Sequence, residues 1–212
     1  MTRLSWDASG KRFYELGIDR GVLYIDSQPG VPWVGLISVS ESPSGGEPQP
    51  YYLDGIKYLN LSSAEEFEAT IEAYSSPREF GPCDGTVAIQ NGLFATQQPR
   101  KQFSFSYRSK TGNDTEGQDY AYKIHLVYNA LAAPSQRSNK TIDDSVNVIN
   151  LSWQITTLPP SITGVKPTAH LVIDSRYADP DILNTVENIL YGSDSQSSSL
   201  PTPNDLIDIF NG

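Results

Sequence analysis

The sequence predicts a mainly β protein: a sandwich or barrel of antiparallel strands with one flanking α-helix and a short C-terminal helix. Three observations predict it. Apolar and polar residues alternate strictly in several segments, as where Phe103, Phe105 and Tyr107 interleave with Ser104 and Ser106, and a period of two turns one face of a strand toward a core. The 16 Gly and 15 Pro are scattered as turn punctuation, which suits many short strands. The aromatic content rests on 12 Tyr and 7 Phe, whose rings pack well on a pleated surface. At 212 residues the chain fits one domain with appendages and can bury a sizeable core.

Taken in order, Arg12–Leu16 and Val22–Ile25 read as a hairpin around the turn-prone Gly17–Gly21. Trp33, Gly35, Ile37 and Val39 alternate next and share one strand face. Residues 41–50 hold three Pro and two Gly, so a loop is expected there. Strand character resumes over Tyr51–Leu61, with a bulge expected at Asp54-Gly55. Residues 62–74 satisfy two patterns. Ser62 with Glu65, or Ser63 with Glu66, fits a capping box, while Phe67, Ala69, Ile71 and Ala73 alternate as on a strand. One helical turn followed by a strand is the reading that uses both.

The clearest strands come later. Tyr120, Tyr122, Ile124, Leu126 and Tyr128 form one face, Ile149, Leu151, Trp153 and Ile155 another, and Ala169, Leu171 and Ile173 a third. The polar stretch 108–119 reads as a long loop. A helix over 180–191 is well signalled: Asp179 as N-cap, Pro180 in the first turn, a stripe of Ile182, Leu183, Val186, Ile189 and Leu190, and Gly192 as terminator. Residues 1–192 thus form the β domain with its flanking helix. Residues 193–212 add a Ser-rich linker and an apolar tail whose helix starts at Thr202-Pro203.

Charge narrows the function. The formal net charge is −10 and the sequence pI about 4.6, which argues against gripping nucleic acid, since that requires cations to displace phosphate counterions. Cys83 is the only cysteine, so no intrachain disulfide is expected. The sequence opens without the apolar core of a signal peptide, and no apolar run reaches membrane-spanning length; a soluble protein made in a cytoplasm is expected. The N-x-Ser/Thr triplets at Asn60, Asn113, Asn139 and Asn150 are then chance.

Reactive chemistry is sparse. No G-x-S-x-G elbow, H-E-x-x-H, phosphate loop or dinucleotide fingerprint occurs. The two histidines, His125 and His170, alternate with apolar neighbours and read as the polar face of strands in preference to general bases. Cys83 would be a nucleophile only if one of them came close in space, and otherwise reads as a structural thiol. Asp143-Asp144 and the Asn113–Glu116 cluster match no calcium-loop spacing. No catalytic, cofactor-binding or metal residue is assigned, and no enzyme activity is expected.

Several phrases resemble the major tail protein (tail-tube) family of siphophages, particularly those of actinobacteria. They are Lys11–Glu15 (KRFYE) with Gly21–Tyr24 (GVLY), Glu41–Gly45 (ESPSG), Ile56–Asn60 (IKYLN), Ala64–Phe67 through Tyr74, Cys83–Gly85, Gly112–Gly117 (GNDTEG), Lys123–Pro134, Lys166–Ala169 and Ile173–Ser175. They span nearly the whole chain. The resemblance implies a tail-tube fold of two packed antiparallel sheets with a flanking helix. It implies a structural protein of the virion, assembled in the host cytoplasm, whose subunits form stacked, typically hexameric rings around the tape-measure protein. Terminator and tip proteins cap the tube, DNA passes through the lumen without specific binding, and the family has no catalytic residues to carry over. Six subunits at −10 each would bring −60 to a ring, and any share facing the lumen would repel phosphate. The alternatives are another β-rich virion protein (a head–tail connector or decoration protein), a carbohydrate-binding β-sandwich, or a β-rich hydrolase.

Two assembly elements follow from this reading. One or both of the stretches 41–50 and 108–119 are expected to reach into a neighbouring subunit or ring and to order there upon assembly. The tail, with Leu200, Leu206, Ile207, Ile209 and Phe210, is expected to dock on a surface that matters for assembly, the alternative being a tail folded back on its own domain.

Overall fold

The computed structural model describes residues 3–4, 6–141 and 148–212. The strands are β1 (Phe13–Tyr24), β2 (Val31–Pro32), β3 (Leu36–Glu41), β4 (Ser44–Gly45), β5 (Pro48–Leu53), β6 (Ile56–Ser62), β7 (Glu65–Glu66) and β8 (Glu68–Ala73), followed by a single 3-10 turn over Arg78–Phe80. Then come β9 (Val87–Gln90), β10 (Leu93–Ala95), β11 (Phe103–Asn113), β12 (Gly117–Ala132), β13 (Leu151–Thr157) and β14 (His170–Asp174), and last the helices α1 (Pro180–Tyr191) and α2 (Pro203–Asn211). The chain is mainly β and antiparallel, as the alternation requires.

The main sheet runs β2-β1-β11-β12-β13-β8-β3. β12 is its centre and is long enough to take two partners on one edge: Lys123–Val127 pair with β14, and Ala130–Ala132 pair with β13. Two apolar clusters result. The first collects Leu23, Phe105, Tyr107 and Val127 from β1, β11 and β12 with Ile71, Trp153 and Ile155 from β8 and β13, closed by Trp33, Phe80 and Phe103. The second lies on the other face, where Tyr24, Ile124, Leu126 and Ile173 meet Leu183, Val186 and Leu190 of α1 and Leu206 of α2. β12 is therefore buried on both faces, which explains why Val127, on the side expected to be polar, is fully buried.

The flanking helix forms as its signals dictate. The Asp179 side chain accepts from the Asp181 N–H, Pro180 stands in the first turn, and Leu183, Val186 and Leu190 are buried. α2 starts at a reciprocal capping box, Thr202 accepting from the Asp205 N–H while Asp205 accepts from the Thr202 N–H.

Five local expectations are corrected. Residues 62–74 contain no helical turn: Glu65–Glu66 and Glu68–Ala73 are strands. Burial decides between the two periods, because Ala69, Ile71 and Ala73 are completely buried opposite β13. The stretch 41–50 is not a loop, since β3 runs to Glu41, β4 occupies Ser44–Gly45, and β5 starts at Pro48. Its prolines are tolerated because β5 is half of a two-stranded ribbon, where a missing N–H on the free edge costs no ladder bond. Asp54-Gly55 is not a bulge but the turn of that ribbon. Both residues have positive φ (49° and 78°) and Leu53 pairs with Ile56, the geometry of a tight hairpin.

The stretch 108–119 is likewise strand on both sides of a three-residue turn, with Asn113 opposite Gly117. Its polarity misleads because the Asn113 side chain is buried and accepts from the Thr115 and Glu116 N–H groups. The first strand is not a hairpin: β1 runs unbroken along β11, and the glycine-marked breaks are register irregularities at Leu16/Ile18 and Asp19/Val22. Two smaller departures accompany these. An irregularity between Leu36 and Ser38 interrupts the alternation expected from Trp33 to Val39, so that Leu36 and Val39, not Ile37, pack on the first cluster. Ile149 precedes β13 and is exposed.

Candidate functional site

Two features stand out from the packed body: a ribbon whose strand residues are all exposed, and a polar cluster at one end of the first core.

The ribbon is β5–β6. It forms a separate two-stranded sheet paired from Pro48↔Ser62 to Leu53↔Ile56, and every residue of both strands is exposed. Its large side chains are nonetheless apolar or aromatic: the register puts Tyr51, Leu53, Ile56, Leu59 and Leu61 on one face, Tyr52 and Tyr58 are exposed beside them, and Ile56 is 73% and Tyr58 70% exposed. An isolated two-stranded hairpin is marginal in water, and this one exposes a run of large apolar and aromatic side chains. The second ribbon, β9–β10, repeats the pattern on a smaller scale with Val87, Ile89, Leu93 and Phe94 exposed. The first ribbon includes residues 48–50 of the expected loop. Residues 108–119 offer no such arm, being held in the central sheet with Asp114 accepting from the Gly10 and Arg12 N–H groups.

The C-terminal tail is placed on its own domain. Leu206 is buried in the second cluster with Leu200 and Ile209 packed beside it. The Tyr128 hydroxyl donates to the Pro201 carbonyl at 3.0 Å, and the Ser199 N–H donates to the Ile189 carbonyl at 2.8 Å. A surface cavity of about 980 Å³ lies at this junction, lined in part by Tyr24, Tyr128, Ser199 and Pro201.

The polar cluster gathers both histidines. On paired strands, His125 stands opposite Val172 and His170 opposite Val127, so the two imidazoles are diagonal neighbours on one face. His125 Nδ1 and His170 Nε2 are 3.1 Å apart. Ser109 Oγ lies 3.0 Å from His125 Nε2. Tyr107, directly across the ladder from His125, stacks on it at 4.4 Å between ring centroids, and Phe67 packs against His170 at 4.5 Å. Glu41, the last residue of β3, closes the group. Its Oε1 accepts from the Tyr107 hydroxyl at 2.9 Å and lies 3.7 Å from His125 Nδ1 and 3.9 Å from His170 Nε2.

Burial, reinforced by the neighbouring His170, pushes His125 down to about 4. Burial lowers His170 as well, against the opposing pull of Glu41. Both rings are neutral near pH 7 and offer nitrogen lone pairs. Sequence reasoning placed these histidines on polar strand faces. Both side chains are instead largely buried, and Val127 on the same face as His125 was the available signal. Their meeting depends on strand register, which no local motif encodes.

Cys83 is not part of this group. It is fully buried in the first apolar cluster, and burial pushes its thiol up to about 12, the opposite of nucleophile activation. The Asn113–Glu116 cluster is consumed by turn hydrogen bonds. Asp143-Asp144 lie outside the described residues.

Among the charges, Arg108 makes a two-pronged pair with Asp19, Nε and Nη2 each 2.7 Å from a carboxylate oxygen, and its guanidinium lies over the Tyr122 ring at 4.7 Å. This pair holds the carboxyl of Asp19 below its ordinary value. No described helix is long and apolar enough to cross a membrane.

No family profile matches the sequence. No curated protein matches it either. Among solved structures, the chain is similar to a chain of the anti-feeding prophage baseplate, a cryo-EM structure symmetrised sixfold. The identity is 10%, the match covers 80% of this chain and 97% of that one, and the TM-score is 0.39. At that TM-score the backbone likeness is too low to carry function from one protein to the other.

Proposed function

We propose that this chain is a structural protein of a phage virion that works by self-association, as the major tail-tube subunit of a long, non-contractile tail. The observation that carries the reading is the β5–β6 ribbon: thirteen strand residues, all exposed, with Tyr51, Leu53, Ile56, Leu59 and Leu61 on one face and the tyrosines Tyr52 and Tyr58 exposed beside them. A second copy of the chain is its occupant. Edge pairing and apolar burial against a neighbour would satisfy both the free backbone edge and the side chains. The phrase-by-phrase resemblance along the sequence supports the same reading, as does the antiparallel β body. Rings of such subunits would stack around the tape-measure protein, bounded by terminator and tip proteins, and pass DNA through an acidic lumen without binding it. The chain catalyses no reaction in this proposal.

Electron microscopy of the purified protein tests it. We expect tubes of uniform bore, lost when Ile56 and Tyr58 are both replaced by Ser while the monomer stays folded. A wild-type chain that remains monomeric at high concentration would overturn the proposal, as would a double variant that forms normal tubes.

A further inference from the structure

We propose that Glu41, His125 and His170 form a binding site for one divalent transition-metal ion of the zinc class. The three donor atoms, Glu41 Oε1, His125 Nδ1 and His170 Nε2, are separated by 3.1, 3.7 and 3.9 Å. A triangle with those sides has a point in its plane about 2.1 Å from every corner, which is the length of a zinc–imidazole or zinc–carboxylate bond. The donors come from three strands, β3, β12 and β14, so a bound ion would staple the β3 edge to the centre of the sheet. They are also the one group of three or more His, Cys, Asp or Glu side chains with metal-ligand spacing among the described residues.

The surroundings fit a ligand set. Metal-bound imidazoles are commonly oriented through their other ring nitrogen, and ligating carboxylates through a further hydrogen bond. Ser109 Oγ sits at the far nitrogen of His125, and the Tyr107 hydroxyl donates to Glu41 Oε1. Tyr107 stacks on the His125 ring and Phe67 packs at a tilt against the His170 ring, so both imidazoles are held by aromatic neighbours. Without metal, one imidazole donates an N–H to the other across the 3.1 Å gap. Binding requires that this proton move to the other nitrogen of its ring, leaving two neutral imidazoles and no net proton released. Two nitrogen donors with one carboxylate select zinc, cobalt or nickel over calcium or magnesium, which prefer all-oxygen sets. The Glu41 side chain is 40% exposed and supplies the route in from solvent.

The test uses the full, tag-free chain, stripped with chelator and titrated with Zn²⁺ by calorimetry and with Co²⁺ by visible absorption. The sequence holds only two histidines, so any imidazole-ligated cobalt spectrum reports on this pair. We expect one equivalent bound, and a rise in Tm on the order of 5–10 °C at Zn²⁺ a hundredfold above Kd. His170→Gln should abolish saturable binding, and Glu41→Gln, at a partly exposed position, should weaken it at least tenfold. If His170→Gln fails to fold by circular dichroism, Glu41→Gln decides. Absence of saturable binding by the wild type at millimolar metal would overturn the site. So would binding by Glu41→Gln, or by a folded His170→Gln, at wild-type affinity.

Discussion

The β5–β6 ribbon and the C-terminal tail look alike in sequence and behave oppositely in the fold. Both are short segments rich in large apolar residues, set apart from the body by Pro, Gly or Ser. The tail finds its partner at home: Leu206 is buried at 5% exposure under α1 and the sheet, helped by a complete capping box. The ribbon finds none, and leaves Ile56 and Tyr58 more than two-thirds exposed. The difference lies in geometry. The tail is a helix whose apolar stripe meets the domain's own surface, whereas the ribbon stands out from the body with its apolar face turned to solvent. Stability of the chain is therefore invested in the tail, and in the proposed assembly the drive to associate lies in the ribbon.

That division can be broken in order of expected effect. Replacing Ile56 and Tyr58 by Ser should abolish tube formation yet change the unfolding free energy by less than about 1 kcal/mol, because the lost groups touch mainly water; sedimentation and chemical denaturation read the two quantities. Leu206→Ala should do the reverse, costing roughly 2–4 kcal/mol in denaturant unfolding while the folded fraction still assembles. If instead it abolishes tubes without loss of stability, the tail is an assembly element after all.

A finer cut is Thr202→Ala, which removes half of the α2 capping box and should cost about 1 kcal/mol, seen as faster hydrogen exchange confined to α2. The smallest effect concerns acid. The folded value of Asp19 is depressed by Arg108. Its contribution is therefore fully present above the ordinary carboxylate value and is lost as pH falls through the lower folded value. Asp19→Asn should flatten the stability profile below about pH 4 and leave it unchanged in shape near neutrality.

The tail shows what was legible in the sequence. Asp179, Pro180 and Gly192 punctuate α1, and Thr202-Pro203 opens α2, because capping is a local interaction among neighbouring residues. The alternating strands were readable for the same reason. The ribbon was only half visible: its prolines argued for a loop, and nothing local says that a proline sits on a free edge. Residues 108–119 failed the opposite way, because a buried Asn113 that satisfies its own turn resembles a solvated one in composition. The histidine cluster was out of reach, since the contact of His125 with His170 spans 45 residues and depends on how β14 registers on β12.

The double burial of β12 has a consequence in time. Its neighbours are recruited from far along the chain: β1 joins the sheet through β11 some ninety residues later, β8 reaches it through β13, and β14 and α1 follow later still. Each such pairing closes a long stretch of chain before the contact returns any free energy, so folding belongs in the slow, millisecond-to-second regime of nonlocal β topologies. The ribbon closes through a two-residue turn and needs no such wait; hairpins of that kind form in about microseconds. The sticky part of the molecule is thus ready before the body that should carry it. A high yield of well-formed assemblies then calls for dilute or assisted folding first and concentration second, an order that refolding at graded protein concentrations would reveal.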